Sequence, residues 1–164
     1  KRFMEGREVN VGLVGNLIGP VARRIPKDEN AHRIHAGLHF LPPMEVNLDP
    51  YLETDGVYDN YLKTALAAEL EYLCPAPLDE DMVDELNWLA AAVFRVTGAL
   101  DFARIDFRLD KNDNFKPYIL EINPLPGLMP KLSDIVIEAN ADGISHTELI
   151  NLILNTALAR YGMI

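Results

Sequence analysis

The chain has 164 residues, 49% of them hydrophobic and 24% charged, with a formal net charge of −10. That balance fits one globular domain with a sizeable core and excludes extended disorder. The acidic surplus argues against a surface that tracks nucleic-acid phosphates, and an anionic cofactor would need a cation or local donors to offset the field. A single cysteine, Cys74, excludes an internal disulfide and fits a reducing compartment, so a cytoplasmic protein is expected. No apolar run approaches the ~18 residues of a membrane span, and no signal peptide is recognisable. The opening KRFMEGREVNVGLV lacks an initiator methionine and reads as the interior of a longer protein.

In chain order, REVNVGLVGN alternates Val9, Val11 and Leu13 with polar or small residues, the period of a strand. Residues 19–40 read as a basic, histidine-containing insertion. LPPMEVNL is a short strand after a Pro-Pro break, and residues 50–77 read as loop with short elements. LDEDMVDELNWLAAAVFRVTG is the clearest helix. Asp79 suits its N-cap, acids fill its first turn and Gly98 suits its end; Leu86, Leu89, Ala90, Val93 and Phe94 form its apolar stripe. FARIDFRL and KPYILEI are strands around DKNDN, a hairpin by turn chemistry. Residues 133–141 read as a short helix. SHTE at 145–148 is a capping box opening the last helix, whose Leu149, Ile150, Leu152, Ile153 and Leu158 suit packing on the sheet or a partner. The order predicts an α+β fold with a mainly antiparallel sheet flanked by helices.

The hairpin concentrates polar residues. Strict alternation puts Ala103, Ile105, Phe107 and Leu109 on one face of its first strand, with Arg104, Asp106 and Arg108 on the other. In the second strand Tyr118, Leu120 and Ile122 share a face opposite Ile119, Glu121 and Asn123. A two-residue turn on Asp113-Asn114 sets Asp106 against Glu121 and Arg104 against Asn123. Two carboxylates directly opposite repel, and a shared cation would resolve the conflict. Asp106, Glu121 and the Asn123 amide are hard oxygen ligands suited to Mg²⁺, and Arg104 suits a phosphate or developing oxyanion. The alternative is a solvated face on which Arg104 and Arg108 neutralise the acids. The rigid INPLPG segment beside the acids favours a substrate site.

Other patterns carry less. DKNDNFKPYILE spaces its acids like an EF-hand loop, but Phe115 stands where a glycine is required and the flanks are strand-like. His32, His35 and His39 would share a helical face, yet no fourth metal ligand is implied, and a surface insertion is the competing reading. Arg23, Arg24, Lys27 and Arg33 form a basic run that suits a solvated loop or a lid. Cys74 reads as a small buried residue and His146 as an exposed one.

ARIDFRLDKNDNFKPYILEINPLPGL resembles the metal-binding segment of ATP-grasp carboxylate–amine ligases, specifically the D-alanine–D-alanine ligase family, with its R-I/V-D, hairpin and L-E-x-N-x-x-P-G. GREVNVGLVGN resembles that family's E-F-T-V strand, GVYDNYLKT its Y-D-Y-x-x-K loop, and YLCPAPL the following C-P-A segment. The resemblance is strongest at 101–127 and leaves out 19–40. It implies that residues 1–164 are the C-terminal part of an ATP-grasp domain, without the N-terminal substrate domain and the first ATP-grasp subdomain. It also implies an ATP- and Mg²⁺-dependent ligase, with Mn²⁺ as the alternative metal and two ions per site. The reaction would pass through an acyl phosphate on small amino-acid substrates, in peptidoglycan biosynthesis. No nucleic acid or membrane partner is expected, and a homodimer is left open.

Carried over by position, Asp106, Glu121 and Asn123 resemble the metal ligands, Arg104 the arginine on the transferring phosphoryl group, and Lys63 the lysine on the γ-phosphate. Glu8 resembles the acid on the ribose hydroxyls. Arg2, Phe3, Met4 and Leu120 match the adenine border, and Gly127 and Ser133 the loop holding the substrate carboxylate. Two departures bear on substrate. The serine-rich stretch after the P-G is LMPKLS, reaching Ser133 only across a one-residue gap, and Thr64 follows Lys63 where dipeptide-forming members carry an aromatic residue. A ligase for other amino or hydroxy acids, and a nucleotide-binding module without turnover, are therefore the alternatives. A plain cation-binding or interaction domain is a third.

Overall fold

The computed structural model describes residues 4–18, 34–35, 37–47 and 71–164. Within them run β1 (Gly6–Gly15), β2 (Ile34–His35), β3 (Leu38–Phe40), β4 (Met44–Asn47), β5 (Glu71–Leu73), α1 (Glu80–Thr97), β6 (Phe102–Asp110), β7 (Lys116–Asn123), α2 (Asp134–Ala141) and α3 (His146–Arg160). These strands form one antiparallel sheet around β1. Along one edge of β1 lies β6, paired from Gly6–Asp110 to Val14–Phe102, and β7 adds outside it. The other edge is divided between β4, opposite Glu8 to Asn10, and β3, opposite Leu13 to Gly15; β2 and β5 lie outside these two.

Alternation along the strands decides the two faces. Val9, Val11 and Leu13 of β1 and Ala103, Ile105, Phe107 and Leu109 of β6 are all buried, and they pack with Leu86, Ala90, Ala91 and Phe94 of α1. Intervening residues face the opposite way. There Val14, Phe102 and Leu41 meet Ile135, Val136, Ala139 and Leu149 of α2 and α3 in a second cluster. Further along that second face come Gly12, Asn10 and Glu8 beside Arg104, Asp106 and Arg108. The second face is thus apolar at one end and polar at the other, and the short helix α2 stands where the two meet.

The sequence signals for α1 operate as expected. Asp79 accepts a hydrogen bond from the Met82 amide at 2.8 Å, and Gly98 ends the helix in the left-handed conformation with φ 68°. Asp79→Ala in the full-length protein is expected to cost about 1 kcal/mol, read as a lower urea midpoint. An unchanged midpoint would show that packing alone fixes this end. The capping box of α3 is also formed by Ser145 and Glu148. Of the predicted apolar residues on α3, only Leu149 is fully buried; Leu152 and Ile153 pack partly on the second cluster.

Residues 34–35 and 38–40, within the segment expected to be an insertion, pair into the sheet as β2 and β3, and Leu38 and Phe40 fill the core under α1. Three other expectations change. A helical face of histidines does not form: His39 lies in a strand, its Nε2 2.9 Å from Asp142 Oδ2, while His32 lies outside the described residues. His146 is half-buried, with Nε2 2.9 Å from the Leu128 carbonyl oxygen, which ties the loop before α2 to the start of α3. Cys74 is half-buried rather than buried; burial, then the charges of Glu138 and Asp142, pushes its thiol up to about 12, which leaves it a poor nucleophile.

Candidate functional site

The β6–β7 hairpin builds the site, and the predicted pairing holds where the polar residues lie. Arg104 faces Asn123 and Asp106 faces Glu121. The route to that register differs from the expectation. Instead of a two-residue turn, Lys111–Asp113 form a short 3₁₀ turn that Asp110 caps by accepting the Asn112 amide, and Asn114 and Phe115 take left-handed conformations at φ 51° and 56°. This longer connection displaces the pairing by one residue near the turn. A bulge at Leu120, between the pairs Phe107–Ile119 and Asp106–Glu121, displaces it back. Consequently Tyr118 pairs with Arg108 and Ile119 with Phe107, the reverse of the faces that strict alternation assigns them.

Arg104 is the centre of the cluster. Its Nε and Nη2 donate to the two carboxylate oxygens of Asp106 at 2.7 and 2.8 Å. Its Nη1 lies 2.7 Å from Oδ2 of Asp134, the first residue of α2. Asn123 Nδ2 reaches both acids of the hairpin, donating to Asp106 Oδ2 at 3.3 Å and to Glu121 Oε1 at 3.1 Å. Asn10, buried in β1, donates to Asp134 Oδ2 at 3.3 Å, while its own Oδ1 is buried without a hydrogen bond. One turn of α2 beyond Asp134, Glu138 is fully buried, and neither of its oxygens makes a hydrogen bond of good geometry. Glu138 lies directly against the backbone of Gly12, where any Cβ would collide with Oε2.

Three carboxylates, Asp106, Asp134 and Glu138, therefore share one guanidinium, and the electrostatics follow. Burial holds Asp106 above the usual carboxylate range, opposed by its hydrogen bonds to Arg104. Burial, and then the charge of Asp134, raises Glu138 far above its ordinary value, with Arg104 only partly offsetting them. Burial works against the charge on Arg104, but Asp106, Asp134 and Glu138 together more than restore it. Such a surplus of carboxylate favours a bound cation. Among the described residues, no three His, Cys, Asp or Glu side chains converge as a closed metal cage. The hairpin offers two carboxylates and an amide, the open set that Mg²⁺ accepts when other oxygens complete its shell.

Of the remaining sequence candidates, Glu8 lies on the same face, bonded at 2.7 Å to Arg108 Nη2. Leu120, at the bulge, is 44% exposed. Gly127 and Ser133 meet across the loop before α2: a Cβ on Gly127 would lie 2.9 Å from Ser133 Oγ, which accepts the Met129 amide at 2.8 Å. Met4 is half-buried just before β1. Arg2, Phe3 and Lys63 lie outside the described residues. Asn10, Asp134 and Glu138 escaped the sequence reading. Glu138 had a signal, since it interrupts the otherwise apolar stripe of Ile135, Val136 and Ala139, with Asp134 on the same helical face four residues before it.

Comparisons with known proteins agree in direction. The family model described as D-ala D-ala ligase C-terminus matches residues 41–155. A D-alanine–D-alanine ligase of Herminiimonas arsenicoxydans is 31% identical over 157 residues, covering 96% of this chain and 39% of that protein. An uncharacterized protein of Sinorhizobium fredii, y4sG, is 30% identical over 161 residues, covering 98% and 41%. The chain thus spans about two fifths of the curated relatives it matches. Among solved structures, the Coxiella burnetii D-alanine–D-alanine ligase superposes with a TM-score of 0.65 at 17% identity, covering 99% of this chain and 35% of that one. The Bacillus anthracis enzyme complexed with ATP gives 0.62 at 16% identity, covering 96% and 40%. No helix among the described residues is long and apolar enough to cross a membrane.

Proposed function

The chain belongs to the D-Ala–D-Ala ligase family, as its C-terminal ATP-grasp part, and from that premise we propose that it carries the nucleotide- and metal-binding portion of an ATP-dependent carboxylate–amine ligase. The observation supporting this reading is the convergence of Asp106, Glu121, Asn123 and Arg104 on one polar face. Asp106, Glu121 and the Asn123 amide oxygen would hold Mg²⁺, or Mn²⁺ in its place, with two ions in the complete site. Bound there, the metal would supply charge neutralisation and alignment of the ATP phosphates for transfer.

The chain's own residues then divide the work. Arg104 presents its guanidinium to the transferring phosphoryl group and later to the tetrahedral centre, and Lys63 contacts the γ-phosphate. Glu8 accepts from the ribose hydroxyls; Arg2, Phe3, Met4 and Leu120 border adenine. Gly127 and Ser133 hold the substrate carboxylate. A carboxylate oxygen of one amino acid attacks the γ-phosphorus, and ADP leaves with the bridging oxygen. The amine of the second substrate attacks the acyl carbon, phosphate departs, and the amine loses a proton. Much of the rest of the substrate pocket and the remaining phosphate contacts fall to the N-terminal part of the longer protein, in the cytoplasm.

The test is an ADP-release screen of the full-length protein against D- and L-amino acids and hydroxy acids. Release of ADP with none of them would sink the ligase reading. Asp106→Asn and Glu121→Gln are each expected to weaken Mg²⁺–nucleotide binding at least about tenfold by calorimetry; unchanged binding would point to a plain interaction domain. The 164 residues alone are expected to show no turnover, and peptide-bond formation by them would refute the division of labour. A second reading, a substrate other than D-alanine, is favoured by LMPKLS after Gly127 and by Thr64 after Lys63.

A further inference from the structure

Asp106 is asked to serve two cations. Both of its oxygens are bonded to Arg104, at 2.7 and 2.8 Å. A metal coordinated by Asp106 competes for the same atoms, and it stands in repulsion with the guanidinium that holds them. That competition favours a turn of Arg104 away from Asp106 when the metal is bound, and the α2 side of the cluster offers somewhere to go. Nη1 is already 2.7 Å from Asp134 Oδ2. One helical turn further, Glu138 is completely buried with neither oxygen satisfied, although Arg104 offsets part of its charge. A buried carboxylate with only the Gly12 backbone to receive a hydrogen bond from is costly unless a state exists in which it gains further donors.

We propose that Asp134 and Glu138 form a second seat for Arg104, which takes the guanidinium when Asp106 binds the metal. They are positioning residues, acting through Arg104 rather than on substrate. The two seats make metal binding and arginine placement a single linked equilibrium. Loss of the second seat leaves Arg104 on Asp106, where it opposes the metal. This inference rests on the metal assignment above.

The experiment is a double-mutant cycle on the full-length protein, with Mn²⁺ alone titrated and the free ion counted by electron paramagnetic resonance. Asp134→Asn is expected to weaken Mn²⁺ binding about tenfold, and Asp134→Glu to restore most of it. In an Arg104→Ala background the same Asp134→Asn change is expected to lose most of its effect, because no arginine remains to relocate. Glu138→Gln is expected to behave likewise, and it provides the cycle if Asp134→Asn folds poorly. An equal effect in both backgrounds would show that these acids act through their bare charge or through helix packing, and would overturn the second seat while leaving the metal site standing. No Mn²⁺ binding by the wild type would overturn the metal assignment and this inference together.

Discussion

Arg104→Ala in the full-length protein is expected to lower ligase turnover by about a thousandfold, the scale on which a guanidinium stabilises a transferring phosphoryl group. Metal binding is expected to move the other way. Arg104 occupies both oxygens of Asp106, so its removal frees a ligand and removes a positive charge from the ion's surroundings. Turnover and metal affinity should therefore separate in this variant, whereas Asp106→Asn should depress both. The metal-free protein should also lose stability, by up to about 3 kcal/mol, because three partly or fully buried carboxylates lose their cation. Urea denaturation with and without Mg²⁺ reads this, and added metal should recover part of the loss. Turnover within tenfold of wild type would remove Arg104 from the chemistry.

Why the hairpin was legible while α2 was not is a matter of range. The polar face of β6 is written in alternate residues, and alternation survives wherever the strand stays regular. The connection departs from the two-residue rule, since Asp110 caps a 3₁₀ turn at Lys111–Asp113. The resulting one-residue shift does not reach the site because the bulge at Leu120 reverses it. It shows instead at Tyr118 and Ile119, which exchange faces. Asp134 and Glu138 depend on tertiary contact. An acid at the start of a short helix is ordinary on local grounds, and only the packing of α2 on Val14, Leu41 and Phe102 turns it toward Arg104. Gly12 completes that arrangement: the missing side chain is what lets Glu138 lie flat against β1.

Glu138 also sets the expected pH dependence of the fold. Burial and the charge of Asp134 raise its folded-state value well above the ordinary 4.5. Between 4.5 and that raised value the folded protein holds a proton that the unfolded chain has released. Stability then falls as pH rises through that window. Asp106, also raised, adds in the same direction. Asp101, lowered chiefly by its hydrogen bond to Arg160, opposes them only below the ordinary Asp range. The metal-free full-length protein is accordingly expected to have a melting temperature that declines as pH rises above the ordinary Glu range. Glu138→Gln keeps the shape and removes the titration, so its profile should be flatter and should cross above wild type as pH rises. Glu138→Leu should behave similarly at neutral pH, because an apolar replacement of a poorly satisfied buried charge is often neutral or stabilising. A wild-type profile that rises over this range, or a Glu138→Gln profile parallel to it, would mean that Arg104 keeps Glu138 ionised throughout. The guanidinium would then already be shared between its two seats before any metal arrives.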